Sequence, residues 1–191
     1  MQENTFEQIY RTGYWRSYYG TESGPGSSIE CSKPYLDFVQ QFCVDNTIKS
    51  ILDLGCGDFN LMRHFNFDGI VYHGVDVVDF VIQNNIQTYG TSNLTFESTS
   101  IVGYTPKQKY DLVLCKDVLQ HLPTSDVADI LRILTNNLSL VTNDYSVGYN
   151  QNVQSGKYSP IDLNSPPYSM NGRYVFEWQS CTFFKKVYQF N

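Results

Sequence analysis

The chain is short of basic residues, of cysteines and of long apolar runs, and each shortage excludes a class of protein. Lysine and arginine number 13 against 19 acidic residues, for a net charge of −6, and they are scattered with one adjacent pair, Lys185 and Lys186. No basic stripe exists to track a polyanion, so nucleic acid is disfavoured as a partner. The five cysteines (Cys31, Cys43, Cys56, Cys115, Cys181) form an odd set with no CxxC pair. That argues against a disulfide framework and a zinc site, and makes a reducing, cytoplasmic setting the expectation. No apolar stretch nears the ~18 residues of a membrane span. The polar start MQENTFEQIY does not read as a secretory signal. Without repeats or low-complexity tracts, the 191 residues are expected to form one domain.

Aromatic residues are plentiful: 15 tyrosines, 12 phenylalanines and two tryptophans, or 15% of the chain. Twenty of them lie in residues 1–45 and 141–191. A uniform core would not crowd its rings into both ends.

Periodicity divides the chain. Residues 1–20 space their aromatics by threes and fours, as a short amphipathic helix does before a loop. The run GTESGPGSS (20–28) is a breaker-rich linker, after which Ser32 is expected to cap a helix with Pro34 in its first turn. Strands are then expected at 50–54, 70–75, 94–98, 110–115 and 139–143, alternating with helices at 60–65, 80–88 and 125–136. Such alternation predicts a parallel sheet covered on both faces. Residues 143–172 form a loop too long for a bland connection, and 174–178 with 183–190 read as a closing hairpin. The expected organisation is one α/β domain: a helical lid segment (1–45), a cofactor-binding core (46–145), and a substrate loop with terminal hairpin (146–191).

The first strand runs into Asp53-Leu54-Gly55-Cys56-Gly57-Asp58-Phe59-Asn60. Two glycines let the backbone turn tightly and approach a ligand. A dinucleotide loop needs a third glycine where Asn60 stands. Asp76 ends the second strand 19 residues after Gly57, where a carboxylate can accept both hydrogen bonds of a ribose diol. Together these features describe a nucleoside cofactor without a pyrophosphate.

ILDLGCGDFN (51–60), YHGVDVV (72–78) and YDLVLCKDVLQHLP (110–123) resemble, in order and spacing, three motifs of the class I S-adenosylmethionine-dependent methyltransferases. The resemblance implies a Rossmann-like three-layer sandwich whose seven-stranded sheet is parallel but for its last strand. It also implies S-adenosylmethionine as cofactor and S-adenosylhomocysteine as product. Asp53, Gly55 and Gly57 would then hold the aminoacid end of the cofactor, Asp76 its ribose and Val77 its adenine, with the backbone of Cys115 facing the ammonium. The acid that often follows the third strand is replaced here by hydroxyls, so Thr99 or Ser100 would meet the adenine amine. GYW (13–15), SGPGS (23–27) and PIDLNSPPY (160–168) resemble a small branch of these enzymes, in a wider group with members that methylate sugars.

Transfer from a sulfonium is an in-line displacement, in which near-attack geometry supplies roughly 7–11 kcal/mol of the barrier. An alcohol acceptor still needs a base. Asp117 and His121 follow the fourth strand at the ligand-binding edge, four apart and so on one face of a helical turn. Asp117, ionised at neutral pH, is the first choice for base. Contacts to the acceptor are expected from Tyr14, Trp15, Tyr18, Asp144, Tyr149 and Tyr168. A divalent metal is compatible with convergence of Asp117, His121 and Asp144, though no spacing demands one. His64 and His73 read as structural. The expected activity is O-methylation of a small acceptor, a glycan or other hydroxyl. The rivals are N-methylation of protein or nucleic acid, and a non-catalytic binding module.

Overall fold

The apolar run of the fourth strand belongs in the middle of a sheet, and the computed structural model, which describes residues 2–16, 20–146 and 150–191, places it there. The strands are β1 (Ser50–Leu54), β2 (Val71–Asp76), β3 (Leu94–Ser98), β4 (Leu112–Lys116), β5 (Ser139–Asp144), β6 (Arg173–Gln179) and β7 (Phe184–Phe190). Their order is β3-β2-β1-β4-β5-β7-β6; β1 to β5 pair in parallel, and β7 runs antiparallel between β5 and β6. This is the Rossmann-like sheet expected from the motifs.

Period-two alternation along β1 sorts its side chains between two cores. Ile51 joins Tyr35, Leu36 and Val39 of α2 (Ile29–Asp45) and Ile82 of α3 (Asp79–Tyr89) on one face. Leu52 and Leu54 meet Val127, Ile130, Leu131 and Leu134 of α4 (Thr124–Thr135) on the other. Each such fully buried side chain contributes about 1.5–3 kcal/mol. A first helix, α1 (Gln2–Thr12), lies across the carboxyl edge of the strands, where Phe6 and Tyr10 reach Val77 and Val78. Among the described residues no helix is long and apolar enough to cross a membrane.

Three expectations are corrected. The helix expected at 60–65 is only a 3-10 turn, Met62–His64. Asp58 Oδ1 accepts the Asn60 N–H and Asn60 Nδ2 donates to the Ser27 carbonyl, so short polar side chains take the backbone away from a helix. Phe59, at φ 59°, turns into a ring cluster with Phe67, Tyr72 and Phe96 instead. The cap of α2 is Ser28, whose Oγ accepts the Cys31 N–H; Ser32 donates to the Gly26 carbonyl, and Pro34 lies inside the helix. The cysteines are not all thiols: Cys31 and Cys181, 150 residues apart, form a disulfide, while Cys43, Cys56 and Cys115 are free. Spacing could not show that the first turn of α2 meets the β6–β7 turn. Trp178 Nε1 and Ser180 Oγ both donate to the Cys31 carbonyl there.

Candidate active site

The glycine loop is shaped by what surrounds it. Gly55 (φ 80°) and Gly57 (φ 55°) occupy left-handed backbone, and a Cβ on Gly55 would sit 2.3 Å from Val118 Cγ2. On Gly57 it would sit 2.6 Å from Ser23 Oγ. The Gly55 and Cys56 N–H groups donate to the Val75 carbonyl, and Gly57 N–H to Asp76 Oδ2 at 3.1 Å. Asp76 Oδ1 accepts from Val78 N–H. Burial raises the Asp76 carboxyl above its usual range, partly offset by those N–H donors. The carboxylate still has lone pairs toward the cleft for a diol.

A strap formed by residues 21–28 closes one side. Ser23 Oγ lies 2.5 Å from Tyr10 OH and accepts the Asp58 N–H, Glu22 N–H donates to Asp58 Oδ2, and Lys116 Nζ donates to the Gly26 carbonyl. Strap, glycine loop and sheet edge enclose a cleft of about 720 Å³, its open mouth included. Gly55, Gly57, Asp76 and Val77 line one part; Lys116, Asp117 and His121 line another, with Trp15 over them.

Asp53 lies beneath the loop, facing a smaller cavity that Ser27 and Lys116 also line. Its Oδ2 accepts from Tyr72 OH at 2.7 Å, and burial pushes its carboxyl up to about 6. A buried carboxylate raised in this way favours folding while protonated and penalises it as pH rises from the unfolded value of 3.8 through 6, by up to about 3 kcal/mol. Asp53→Asn should therefore raise the thermal midpoint at pH 8 and leave it nearly unchanged at pH 3. Melting curves at the two pH values check this, and equal shifts at both would refute it.

Asp117 sits at φ 58°, with its N–H donating to the Thr142 carbonyl. Its Oδ2 lies 2.5 Å from Lys116 Nζ and its Oδ1 2.6 Å from Lys185 Nζ. Burial alone would raise its carboxyl, but the two ammonium groups hold it far below the usual carboxylate range. Lys185 also pairs with the buried Asp144. His121 closes a 3-10 turn, Leu119–His121, with its ring 4.7 Å from Trp15 and 5.9 Å from Tyr158. Its Nδ1 lies 3.0 Å from the Lys157 carbonyl. A carbonyl only accepts, so Nδ1 carries the proton and Nε2 is the basic nitrogen. Burial lowers the imidazole pKa from its ordinary 6.5, partly opposed by that hydrogen bond and by Asp117.

The family model of the methyltransferase domain matches residues 46–159, from the residue before β1's lead-in through the loop after β5. The chain belongs to this methyltransferase-domain family. A curated relative, the ubiquinone biosynthesis O-methyltransferase of Hydrogenovibrio crunogenus, is 29% identical over 134 residues, covering 67% of this chain and 52% of its own length. The chain thus spans about half the length of that relative. Among solved structures, magnesium protoporphyrin IX methyltransferase (ChlM) from Synechocystis PCC 6803 with bound SAM is similar at TM-score 0.65 and 17% identity, over 99% of this chain and 96% of that one. A DhpI-SAH complex is similar at TM-score 0.61 and 14% identity, over 98% and 95%. At those identities the likeness is one of fold, and it agrees with the class I architecture expected from the motifs.

In this methyltransferase domain the expected site residues divide. Gly55, Gly57, Asp76, Val77, Asp117, His121 and Trp15 line one cleft. Asp53 and Asp144 lie just behind its walls. Cys115 is fully buried, and the strand end facing the cleft is Lys116. Thr99 ties its N–H to the Asp76 carbonyl, while Ser100 and Ile101 reach the wall. Tyr14 is 74% exposed and lines a separate groove with Ile9 and Lys157. Tyr168 packs on the α4-side core, away from the cleft. Tyr18 and Tyr149 lie outside the described residues. The acids that could have converged on a metal converge on Lys185, and among the described residues no cluster of three His, Cys, Asp or Glu side chains is placed to hold one. Sequence reasoning missed Tyr10, Ser23, Lys116 and Lys185. Lys185 did carry a signal, since it shares the inward face of β7 with Val187, where a lysine is out of pattern.

Proposed function

We propose that this domain transfers a methyl group from S-adenosylmethionine to a hydroxyl of a small acceptor, with His121 as general base. The observation that carries the reading is the His121 tautomer: Nδ1–H is committed to the Lys157 carbonyl, which leaves an unprotonated Nε2, 3.4 Å from Gln120 Nε2, on a residue that lines the cleft with the glycine loop. The residues suit the donor. Gly55 and Gly57 leave space that a Cβ would fill, Asp76 offers a carboxylate to a ribose diol, and Val77 with Ile101 offers apolar surface to an adenine. Asp53 and Lys116 put opposite charges beside the loop for a zwitterionic end. When bound, the donor supplies a methyl already activated on sulfur, lost to an in-line nucleophile with release of the neutral thioether.

The chain then has to hold the acceptor and take one proton. Asp117, with both oxygens held by ammonium groups, is too weak a base for this and instead anchors Lys116 beneath the strap. His121, neutral at physiological pH, accepts the hydroxyl proton at Nε2. Trp15 and Tyr158 flank its ring with aromatic faces that suit a ring-shaped acceptor. Transfer to oxygen is also supported by the O-methyltransferase relative. A glycan hydroxyl is the narrower version of this reading, resting on those same faces; a panel that includes one sugar and one phenol tests it.

Calorimetric titration with donor and demethylated product tests the whole proposal. Both should bind below millimolar concentration, and failure of both would sink it. Asp76→Ala should weaken both about 100-fold, because two hydrogen bonds to a charged acceptor are worth about 3 kcal/mol together.

A further inference from the structure

A buried chain of polar contacts joins Asp117 to His121 behind the cleft wall. Lys185, on β7 and 2% exposed, lies 2.6 Å from Asp117 Oδ1 and donates also to Asp144 Oδ1. Asp144 Oδ2 accepts from Gln120 Nε2 at 3.4 Å, and that nitrogen lies 3.4 Å from His121 Nε2. Gln120 Oε1 in turn accepts the Asp144 N–H at 2.7 Å. An ammonium group thus stands between the two carboxylates.

An ammonium this buried is costly unless each of its partners is in place. The neighbouring inward position on β7 is Val187, so an apolar side chain would satisfy the sheet at less cost. The charge therefore answers to its two acids. We propose that Lys185, standing between Asp117 and Asp144, is a positioning residue that keeps His121 Nε2 unprotonated and so able to take a proton. The inference rests on the reading of His121 as base.

The groups facing His121 define the expected effect. Asp117 approaches from the end of β4, Asp144 from β5 and Lys185 from β7, while Tyr158 of the long loop lies near Asp144. Lys116 is committed to Asp117 and the Gly26 carbonyl. The acids favour the imidazolium and Lys185 opposes it, so removing Lys185 leaves both acids acting on the ring.

The test needs no acceptor. The chain has three histidines, and NMR titration of the full chain, assigned with His121→Asn, follows each ring. Lys185→Met should raise the His121 midpoint by about one unit, a tenfold gain in proton affinity, and Lys185→Arg should keep it near the wild-type value. An unmoved midpoint in Lys185→Met overturns the proposal. Should Lys185→Met not fold, the double variant Lys185→Met with Asp144→Asn removes one charge of each sign. Its midpoint should stay near the wild-type value, and a rise of a full unit there would overturn the charge argument. Failed donor binding by calorimetry refutes the methyl-transfer reading alone, whereas an unmoved His121 titration with donor binding intact refutes only the role of Lys185.

Discussion

Replacing His121 by alanine lowers the rate of methyl transfer by about 10²–10⁴-fold, the usual contribution of a positioned base, while leaving the donor bound. The loss falls on kcat, because the base acts on the acceptor's proton in the transition state and not on the ground-state complex. The pH profile supplies an independent sign. A base must be unprotonated to act, and burial lowers the imidazole pKa below 6.5. The rate should therefore be flat from neutral pH upward and fall tenfold per unit only below a midpoint under 6.5. His121→Asn retains a planar polar side chain against Trp15, so comparing it with alanine helps separate lost packing from lost proton transfer. Stopped assays with any accepted hydroxyl compound check the rate. Full turnover in both variants would refute His121 as the base.

Opening the Cys31–Cys181 bridge costs about 3–5 kcal/mol of folding stability. The bridge closes a loop of 150 residues, and the chain-entropy penalty removed from the unfolded state is near its upper end for loops of that size. Against a total of about 5–15 kcal/mol for a domain, this is about a fifth of the margin or more. Guanidinium unfolding of Cys181→Ser against the bridged protein measures it, and coincident midpoints would rule the contribution out. Thiol titration of the denatured chain distinguishes the two redox forms, with three thiols when the bridge is closed and five when it is open. A reducing cytoplasm would favour the open form. The bridge sits two residues beyond the Ile29 start of α2, whose cap Ser28 is the last residue of the strap. Reduction should therefore loosen the strap's hold on Lys116 and weaken donor binding as well.

Local features were legible in the residues themselves. β1 and β3 were read to the residue, and β4 and β5 within two residues at either end, because a short apolar run bounded by turn formers has few alternatives. The glycine loop was legible for a similar reason: two glycines directly after a buried strand need left-handed backbone, and Asp76 lies one strand away in register, with Asp53 beside Gly74. The stretch 60–65 misled because Leu61, Met62 and Phe65 are apolar at helical spacing, while the groups that prevent the helix, Ser27 and the ring cluster, come from elsewhere in the chain. Asp117 changes in context. As a residue type it is a good base, and only the structure brings Lys116 and Lys185 onto its two oxygens.

The sequence by itself determined the class of fold, the glycine loop with Asp76 beside it and the candidacy of His121, because all of these depend on residues adjacent in the chain or on neighbouring strands. Only the tertiary structure decided which groups are free to react. The β7 strand, arriving antiparallel beside β5, sets Lys185 between two acids more than 40 residues away. The loop after β5 brings the Lys157 carbonyl to His121 and so selects the basic nitrogen. Proton affinity depends on charges and hydrogen bonds within a few ångströms, and those neighbours exist only once distant segments have packed together.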